Sequence, residues 1–198
     1  MKDQPQTEYP LHSLIVERWS PYNYSDRPVP DHDLRAVFEA AAWAASSFNE
    51  QPWRYLVAAK SSPADFQRIL DCLVPANQAW AKNAPVLALG VVKKSFSRNG
   101  NPNPVAEHDL GAASATLTFE ASARGLHVHQ MAGLDPDKAH EICNIPRDDW
   151  RVVTALAIGY HDRDAPEELR ARDEGPRTRK PLSSYLFSAD WDKPGPAA

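Results

Sequence analysis

The stretch EHDLGAASATLTFEASARGLHVHQMAG, residues 107–133, decides the fold because it reads as a long helix running directly into a strand. Its apolar residues recur at the spacing of one helical face, at Leu110, Ala113, Leu117 and Ala121. Small residues beside this stripe permit close approach of another helix, and Gly125 stands where helices commonly end. The pattern predicts a helix over 107–124 at the centre of a core or a dimer, followed by a strand over 127–133.

Outward from this stretch, apolar runs of strand length alternate with helical patterns. The segment PVLALGVV, 85–92, is uninterrupted and apolar, which is typical of a strand covered on both faces. Two further strands are predicted over 53–59 and 151–161. Helices are predicted before Pro21 and over 31–45, 65–73 and 136–143. The tryptophans Trp43, Trp53 and Trp80 are more typical of a core or dimer interface than of a substrate site.

Length and composition favour one domain over 1–198, with about 1–9 and 189–198 flexible. The net charge of −4 argues against a nucleic-acid partner, and no apolar run is long enough to span a membrane. The N-terminal residues lack the apolar run of a signal peptide, so we expect a cytoplasmic protein. Cys72 and Cys143 read as buried thiols of a reducing compartment, and the seven histidines show no metal-ligand spacing.

The proline-rich tail, 162–198, contains two arginines in an extended setting. In GPRTRKP the prolines favour extended backbone, so Arg177 and Arg179, two residues apart, would point the same way and suit a phosphate. Arg18 and Ser20 form a similar pair where the first helix ends. Either pair alone is more typical of a solvated surface. Together they predict an anion held jointly by both ends of the chain, and only LSSYLF in the tail has the pattern of a packing segment.

A polar turn, SSFNEQP, separates an alanine-rich helix from the strand that begins near Trp53. Serine, asparagine and proline are ordinary turn residues, so a simple connecting loop is one interpretation. The other is a loop that presents backbone N–H groups and hydroxyls to a ligand. The residues of the turn do not by themselves distinguish the two interpretations.

Five segments resemble motifs of the FMN-dependent nitroreductase family, in the family's order, over residues 11–187. RWS resembles its Arg-x-Ser opening, and AASSFNEQPWRY resembles its Pro-Ser-(Ser/Gly)-x-Asn-x-Gln-Pro-Trp segment. The 108–133 stretch resembles the central helix and the strand and loop after it. RVVTALAIGY is similar to the alanine-rich fourth strand, and PRTRKP to the basic segment near the C-terminus.

The resemblance implies an α+β fold with a central mixed sheet, built as an intertwined homodimer with an extended C-terminal arm. It implies FMN in clefts at the subunit interface and NADH or NADPH as co-substrate, with a nitroaromatic, quinone or similar small-molecule acceptor reduced by a ping-pong mechanism. The residues implied to hold FMN are Arg18, Trp19, Ser20, Ser46, Ser47, Asn49, Asn77, Met131, Ala132, Gly133, Arg177 and Arg179. Ser46, Ser47 and Asn49 would come from the partner subunit, with a main-chain N–H of 131–133 near flavin N5.

Several positions depart from the family pattern. Tyr22 stands where a Lys or Arg often meets the flavin, Ala45 replaces a common proline, and the loop 95–106 matches no dehalogenase lid. No residue stands out as an acid–base catalyst, which fits an enzyme whose cofactor performs the chemistry. His127 and His129 alternate along a strand, so one of them is expected to face solvent. A flavin-dependent reductive dehalogenase and a non-catalytic flavin store or sensor remain alternatives.

Overall fold

The computed structural model describes residue 5, residues 7–164 and residues 166–195, apart from the side chain of residue 169. The outermost residues of the predicted flexible ends, 1–4, 6 and 196–198, lie outside these. The helices are α1 (Ser13–Glu17), α2 (Asp31–Ala41), α3 (Pro63–Asp71), α4 (Pro75–Ala81), α5 (Ala106–Ala123), α6 (Pro136–Ile142) and α7 (Glu167–Glu174). The strands are β1 (Trp53–Ala59), β2 (Val86–Lys93), β3 (His127–Met131) and β4 (Trp150–Gly159).

The four strands form one sheet in the order β1-β2-β4-β3. Every neighbouring pair runs antiparallel, as where Leu89 of β2 faces Leu56 on one side and Ala155 on the other. Helices on an antiparallel sheet confirm the α+β class. The resemblance implied a mixed sheet. In the described part of one chain the sheet is instead antiparallel throughout, because each strand runs opposite to the strand beside it.

Strand β2 is covered on both faces, as its apolar run predicts. Leu87, Leu89 and Val91 face the cluster that includes Phe66, Leu70 and Trp80 of helices α3 and α4. The intervening residues of β2, Val86, Ala88 and Val92, face the opposite cluster, built with α2 and α5. The period-2 alternation of a strand therefore divides the core into two layers, one on each side of the sheet.

Helix α5 lies in the second layer, with the predicted stripe in the core. Leu110, Ala113, Leu117 and Ala121 are at most 1% exposed. Gly125 has a φ of +71°, and the N–H of the next residue, Leu126, donates to the Ala121 carbonyl at 2.9 Å. The left-handed glycine thus ends the helix as expected. Gly111 and Ala115, on the other side of α5, are exposed in the single chain.

The C-terminal region is more structured than the sequence indicated. Helix α7 begins directly after Pro166 with Glu167 and Glu168 in its first turn, where acidic residues favour a helix N-terminus. The arm is therefore extended only in part.

Helix α2 ends at Ala41, four residues earlier than predicted. None of the helices formed by described residues is long and apolar enough to cross a membrane.

The tryptophans and cysteines divide as follows. Trp53 and Trp80 are buried in the core, whereas Trp43 is 84% exposed in the single chain. Both cysteines are free thiols, as predicted; Cys72 is buried as expected, whereas Cys143 is only half-buried.

Candidate functional site

The two ends of the chain meet at the end of helix α1, as the paired arginines predict. Arg18 directly follows the helix, and its Nη1 donates to Ser20 Oγ at 3.3 Å. Arg177 comes from the C-terminal segment, and its Nη1 donates to the carbonyl oxygens of Val16 at 2.7 Å and Arg18 at 3.2 Å. The positive charge of Arg177 therefore lies at the C-terminal end of α1, where the helix dipole favours it.

Three guanidinium groups crowd this point. The pKa of Arg18 is lowered, first by burial and then by the positive charges of Arg179 and Arg177. Burial and Arg179 lower the pKa of Arg177 in the same way. A cluster of cations that repel one another is stabilised by an anion, and guanidinium forks suit phosphate oxygens. Arg179 is exposed. Among the described residues, its Nη1 donates a hydrogen bond only to the carbonyl oxygen of the neighbouring Thr178, at 2.8 Å.

Trp19, between Arg18 and Ser20, points away from this cluster. Its ring is 8% exposed and packs edge-on against His127 and His161, with ring centroids 5.3 and 4.8 Å away. Its indole therefore belongs to the packing behind the arginines.

The polar turn lies at the N-terminal end of α5 and has an unusual backbone. Phe48, Asn49 and Gln51 all have positive φ angles, of 54°, 55° and 50°. Ser46 Oγ accepts from the Gln51 N–H at 3.1 Å, and the Ser47 N–H donates to the buried carboxylate of Asp109 at 3.1 Å. Non-glycine residues in the left-handed region are uncommon and cluster at functional sites.

This turn does not meet the arginine cluster within one chain. Its contacts outside itself include α5, strands β1 and β2, and the loop after β2, where Phe48 packs against Phe96 at 5.9 Å between ring centroids. Among the described residues, none of the hydrogen bonds of Ser46, Ser47 and Asn49 reaches Arg18, Ser20 or the C-terminal arginines. The predicted site residues thus fall into separate groups in the single chain.

Another group of predicted residues surrounds the end of β3. Asn77 Nδ2 donates to the Gly133 carbonyl at 2.9 Å, and Asn77 Oδ1 accepts from Trp80 Nε1 at 3.3 Å. A Cβ on residue 133 would lie 2.5 Å from Asn77 Nδ2 and 3.0 Å from a Val74 methyl. Packing against its own chain therefore favours glycine here, because a Cβ would displace the Asn77 side chain, and the sequence did not reveal this reason. Met131 is buried and Ala132 is exposed.

Aromatic rings connect the arginine cluster to Asn77. Tyr22 packs edge-on against Trp80 and His129, with centroids 5.1 and 4.9 Å away. Arg172 of α7 covers the Tyr22 ring, with its Cζ 3.8 Å from the ring centroid. Ring contacts therefore extend from the segment after Ser20 to the Asn77 group.

The two strand histidines share one side of the sheet, contrary to the expectation that one faces solvent. Residues two apart on a strand point the same way. His127 packs against Trp19, and His129 packs against Trp80, so both are half-buried. Burial, followed by the charge of His161, lowers the pKa of His127 to about 4. Burial likewise lowers the pKa of His129, so both rings are neutral at neutral pH.

A cleft of about 780 Å³ lies behind the arginine cluster. Its walls include Glu17, Trp19, Arg27, Leu126, His127, Tyr160, His161, Arg163, Arg170, Asp173 and Arg177. Asp173 is buried and accepts hydrogen bonds from the main-chain amides of Tyr22, at 2.8 Å, and Asn23, at 3.1 Å. Sequence reasoning missed Asp173 and Arg172, because the charged segment EELRARDE shows no apolar stripe.

These features define an α+β domain whose two chain ends converge on a cluster of arginines beside a group of aromatic rings. Comparison with known proteins agrees with this class. The model of the nitroreductase family matches residues 15–160. The chain belongs to the nitroreductase family, which confirms the resemblance drawn from the motifs.

Individual relatives cover most or part of the chain. A Polynucleobacter asymbioticus protein named "Putative NADH dehydrogenase/NAD(P)H nitroreductase" is 27% identical over 176 residues, 80% of this chain and 88% of that protein. A 15.4 kDa Mycolicibacterium smegmatis protein is 38% identical over 88 residues, 43% of this chain and 58% of that protein. A solved oxidoreductase containing FMN has a TM-score of 0.87 at 34% identity, over 96% of this chain and 98% of that one.

Proposed function

We propose that this protein is an FMN-dependent oxidoreductase that takes electrons from NADH or NADPH and passes them to a small acceptor, such as a nitroaromatic or a quinone. The observation that carries the proposal is the convergence of Arg18, Ser20, Arg177 and Arg179 at the end of α1. The FMN-containing neighbour and the NAD(P)H named for the Polynucleobacter relative support the two cofactors.

The residues present fit FMN in two respects. Burial lowers the pKa of Arg18 most, and the positive charges of Arg179 and Arg177 lower it further. A terminal monophosphate would offset that concentration of positive charge. At the other end of the ring cluster, Ala132 is exposed and Gly133 is half-buried, so main-chain polar groups of this segment would face a heterocycle bound there. Asn77 is bonded to the Gly133 carbonyl and supports the segment. We propose that Arg18, Ser20, Arg177 and Arg179 hold the phosphate and that Asn77 and Met131–Gly133 flank the ring system.

FMN, when bound, would supply the hydride and electron transfer, because no side chain of this site offers redox chemistry. The chain would bind, orient and exclude water. His127 and His129 are held neutral by burial, so neither adds positive charge beside the arginines at neutral pH. Donor and acceptor would use the same face in turn, which predicts ping-pong kinetics.

We further propose a homodimer in which the partner's turn completes each site. Ser46, Ser47 and Asn49 are predicted FMN contacts, yet the single chain holds them away from the arginine cluster. In the single chain Trp43 is 84% exposed and Phe48 is 70% exposed, and the small residues Gly111 and Ala115 of α5 are also exposed. These exposed residues support an interface that a partner subunit would cover. Such an interface would bury more than about 2,000 Å², as obligate dimers do. The free thiols are compatible with a cytoplasmic location.

Purification and spectroscopy test the cofactor. We expect a yellow protein that releases FMN, and no FAD, on denaturation, and an apoprotein that rebinds FMN. FAD is the matched control because it shares the ring system and lacks a terminal monophosphate. A colourless protein that cannot be reconstituted with FMN would overturn the proposal.

Turnover separates the enzyme from its alternatives. We expect NADH or NADPH oxidation to accelerate when a nitroaromatic or quinone is added, with parallel double-reciprocal lines. Bound FMN without turnover would instead indicate a flavin store or sensor. Release of halide from a halogenated aromatic, without reduction of the other acceptors, would indicate a reductive dehalogenase.

A further inference from the structure

Helix α7 holds Tyr22 at two points through consecutive residues. Asp173 accepts the Tyr22 main-chain N–H at 2.8 Å, and Arg172 covers the Tyr22 ring, with Cζ 3.8 Å from its centroid. Asp173 also accepts from the N–H of Asn23 at 3.1 Å and from its side-chain Nδ2 at 2.8 Å. Because Asp173 is only 5% exposed, these bonds anchor α7 to the segment after Ser20. The position of Arg172 is therefore built into the fold.

The Tyr22 ring lies between the two groups of residues proposed to hold FMN. Arg18 and Ser20 precede it by only a few residues, and Trp80, which packs on Tyr22, donates to Asn77. The charges of Arg172 and Arg18 both act on His129, where each opposes protonation and contributes to the lowered pKa. The aromatic cluster of Tyr22, Trp80 and His129 thus lies close to the guanidinium groups of both Arg18 and Arg172.

The charge of Arg172 is available for this role. Its side chain forms no ion pair within the part of the chain that the structure describes, and it lies on an exposed stretch of α7. A guanidinium stacked on an aromatic face keeps its full charge, and the stacking fixes its position without neutralising it.

We propose that Arg172 is a redox-tuning residue, a positive charge that α7 and Tyr22 place beside the bound flavin. This inference rests on the proposed function. Reduced FMN carries more negative charge than oxidised FMN, and a nearby cation therefore favours reduced FMN. Tyr22 acts as a positioning residue, because its ring supports the guanidinium. Helix α7 would thereby affect the reduction potential of the bound FMN without taking part in proton transfer.

The test is the midpoint potential of bound FMN, measured by equilibration with a reference dye, in the holoenzyme and its variants. In Arg172→Gln we expect the affinity for reduced FMN to fall by about three- to tenfold relative to oxidised FMN, since the charge is partly screened by solvent. A tenfold change corresponds to about 30 mV toward lower potential for a two-electron couple. Arg172→Lys should retain most of the wild-type potential.

Two further variants locate the effect. Tyr22→Leu removes the ring under Arg172 and should shift the potential in the same direction, with little added effect of Arg172→Gln in the double variant. Arg170→Gln, the matched control, removes an arginine from the same helix and should leave the potential unchanged. An unchanged potential in Arg172→Gln, or an equal shift in Arg170→Gln, would overturn the inference while leaving FMN binding intact. A wild-type protein that binds no FMN would overturn the proposed function and this inference together.

Discussion

Arg177 donates a hydrogen bond to the main-chain carbonyl of Arg18, with 3.2 Å between Nη1 and the oxygen. The same nitrogen reaches the Val16 carbonyl at 2.7 Å, so the C-terminal segment is bonded to the end of α1. The arginine pairs at the two ends of the chain are thereby held in one place. Arg177 therefore helps to hold the C-terminal segment in place. Arg179 does not share this role, because among the described residues it is bonded only to the neighbouring Thr178 carbonyl.

Arg179→Ala should weaken FMN binding with little change in thermal stability. Loss of a charge-assisted hydrogen bond to a phosphate costs roughly 1.5–3 kcal/mol, about ten- to a hundredfold in affinity. Calorimetric titration of the apoprotein with FMN measures the affinity. Arg177→Ala should lower both the affinity and the melting temperature, because it also loses its bonds to α1. Unchanged FMN affinity in Arg179→Ala would indicate that this part of the tail is a solvated loop that does not contact FMN.

The stability of the protein should fall as the pH is lowered from about 6.5 to about 4, partly through His127. Burial, followed by the charge of His161, lowers the pKa of His127 to about 4 in the fold, whereas an unfolded histidine titrates near 6.5. The neutral ring is the form that the fold favours. The stabilisation is therefore complete above the unfolded pKa and is lost as the pH falls toward the folded one.

His127→Gln should flatten this pH dependence. The contribution of His127 is at most about 3 kcal/mol, because each pKa unit corresponds to about 1.4 kcal/mol and partial exposure reduces it. Urea unfolding at about pH 7 and about pH 4.5 measures the difference. Equal losses of stability in the variant and the wild type over this range would show that other groups account for it.

Gly133→Ala should destabilise the loop after β3 even without cofactor. The added Cβ would lie 2.5 Å from Asn77 Nδ2, so the asparagine must move and its bond to the Gly133 carbonyl is strained. Overpacking of this kind typically costs about 1–3 kcal/mol. Urea unfolding of the apoprotein measures this cost. In the double variant Asn77→Ala/Gly133→Ala the cost should be smaller than the sum of the two single changes. Strict additivity would contradict the contact.

Dilution should release FMN and dissociate the dimer together, because the partner's Ser46, Ser47 and Asn49 are proposed to complete each site. Light scattering and flavin fluorescence, recorded on the same dilution series, measure the two events. Trp43→Ser should shift both midpoints to higher protein concentration, because it removes an exposed aromatic ring from the proposed interface. A stable, flavin-loaded monomer at micromolar concentration would refute the composite site.

The local elements of this protein could be predicted from the sequence by itself. The stripe of α5, the glycine after it and the apolar run of β2 are periodic signals carried by adjacent residues, and all three are confirmed in the structure. The motifs in order also identified the family. Helix α7 was missed because its residues are highly charged and show no apolar stripe to mark a buried face.

Only the tertiary structure decided how these elements meet. Strand periodicity determines which residues share a face but does not determine which strand lies beside which. The antiparallel order β1-β2-β4-β3 is therefore a property of the tertiary structure. The preference for glycine at 133 comes from Asn77, 56 positions earlier in the chain. Arg172 meets Tyr22 only because buried Asp173 anchors α7 to the segment after α1. Such contacts depend on the packing of distant segments, which no local pattern of residues specifies.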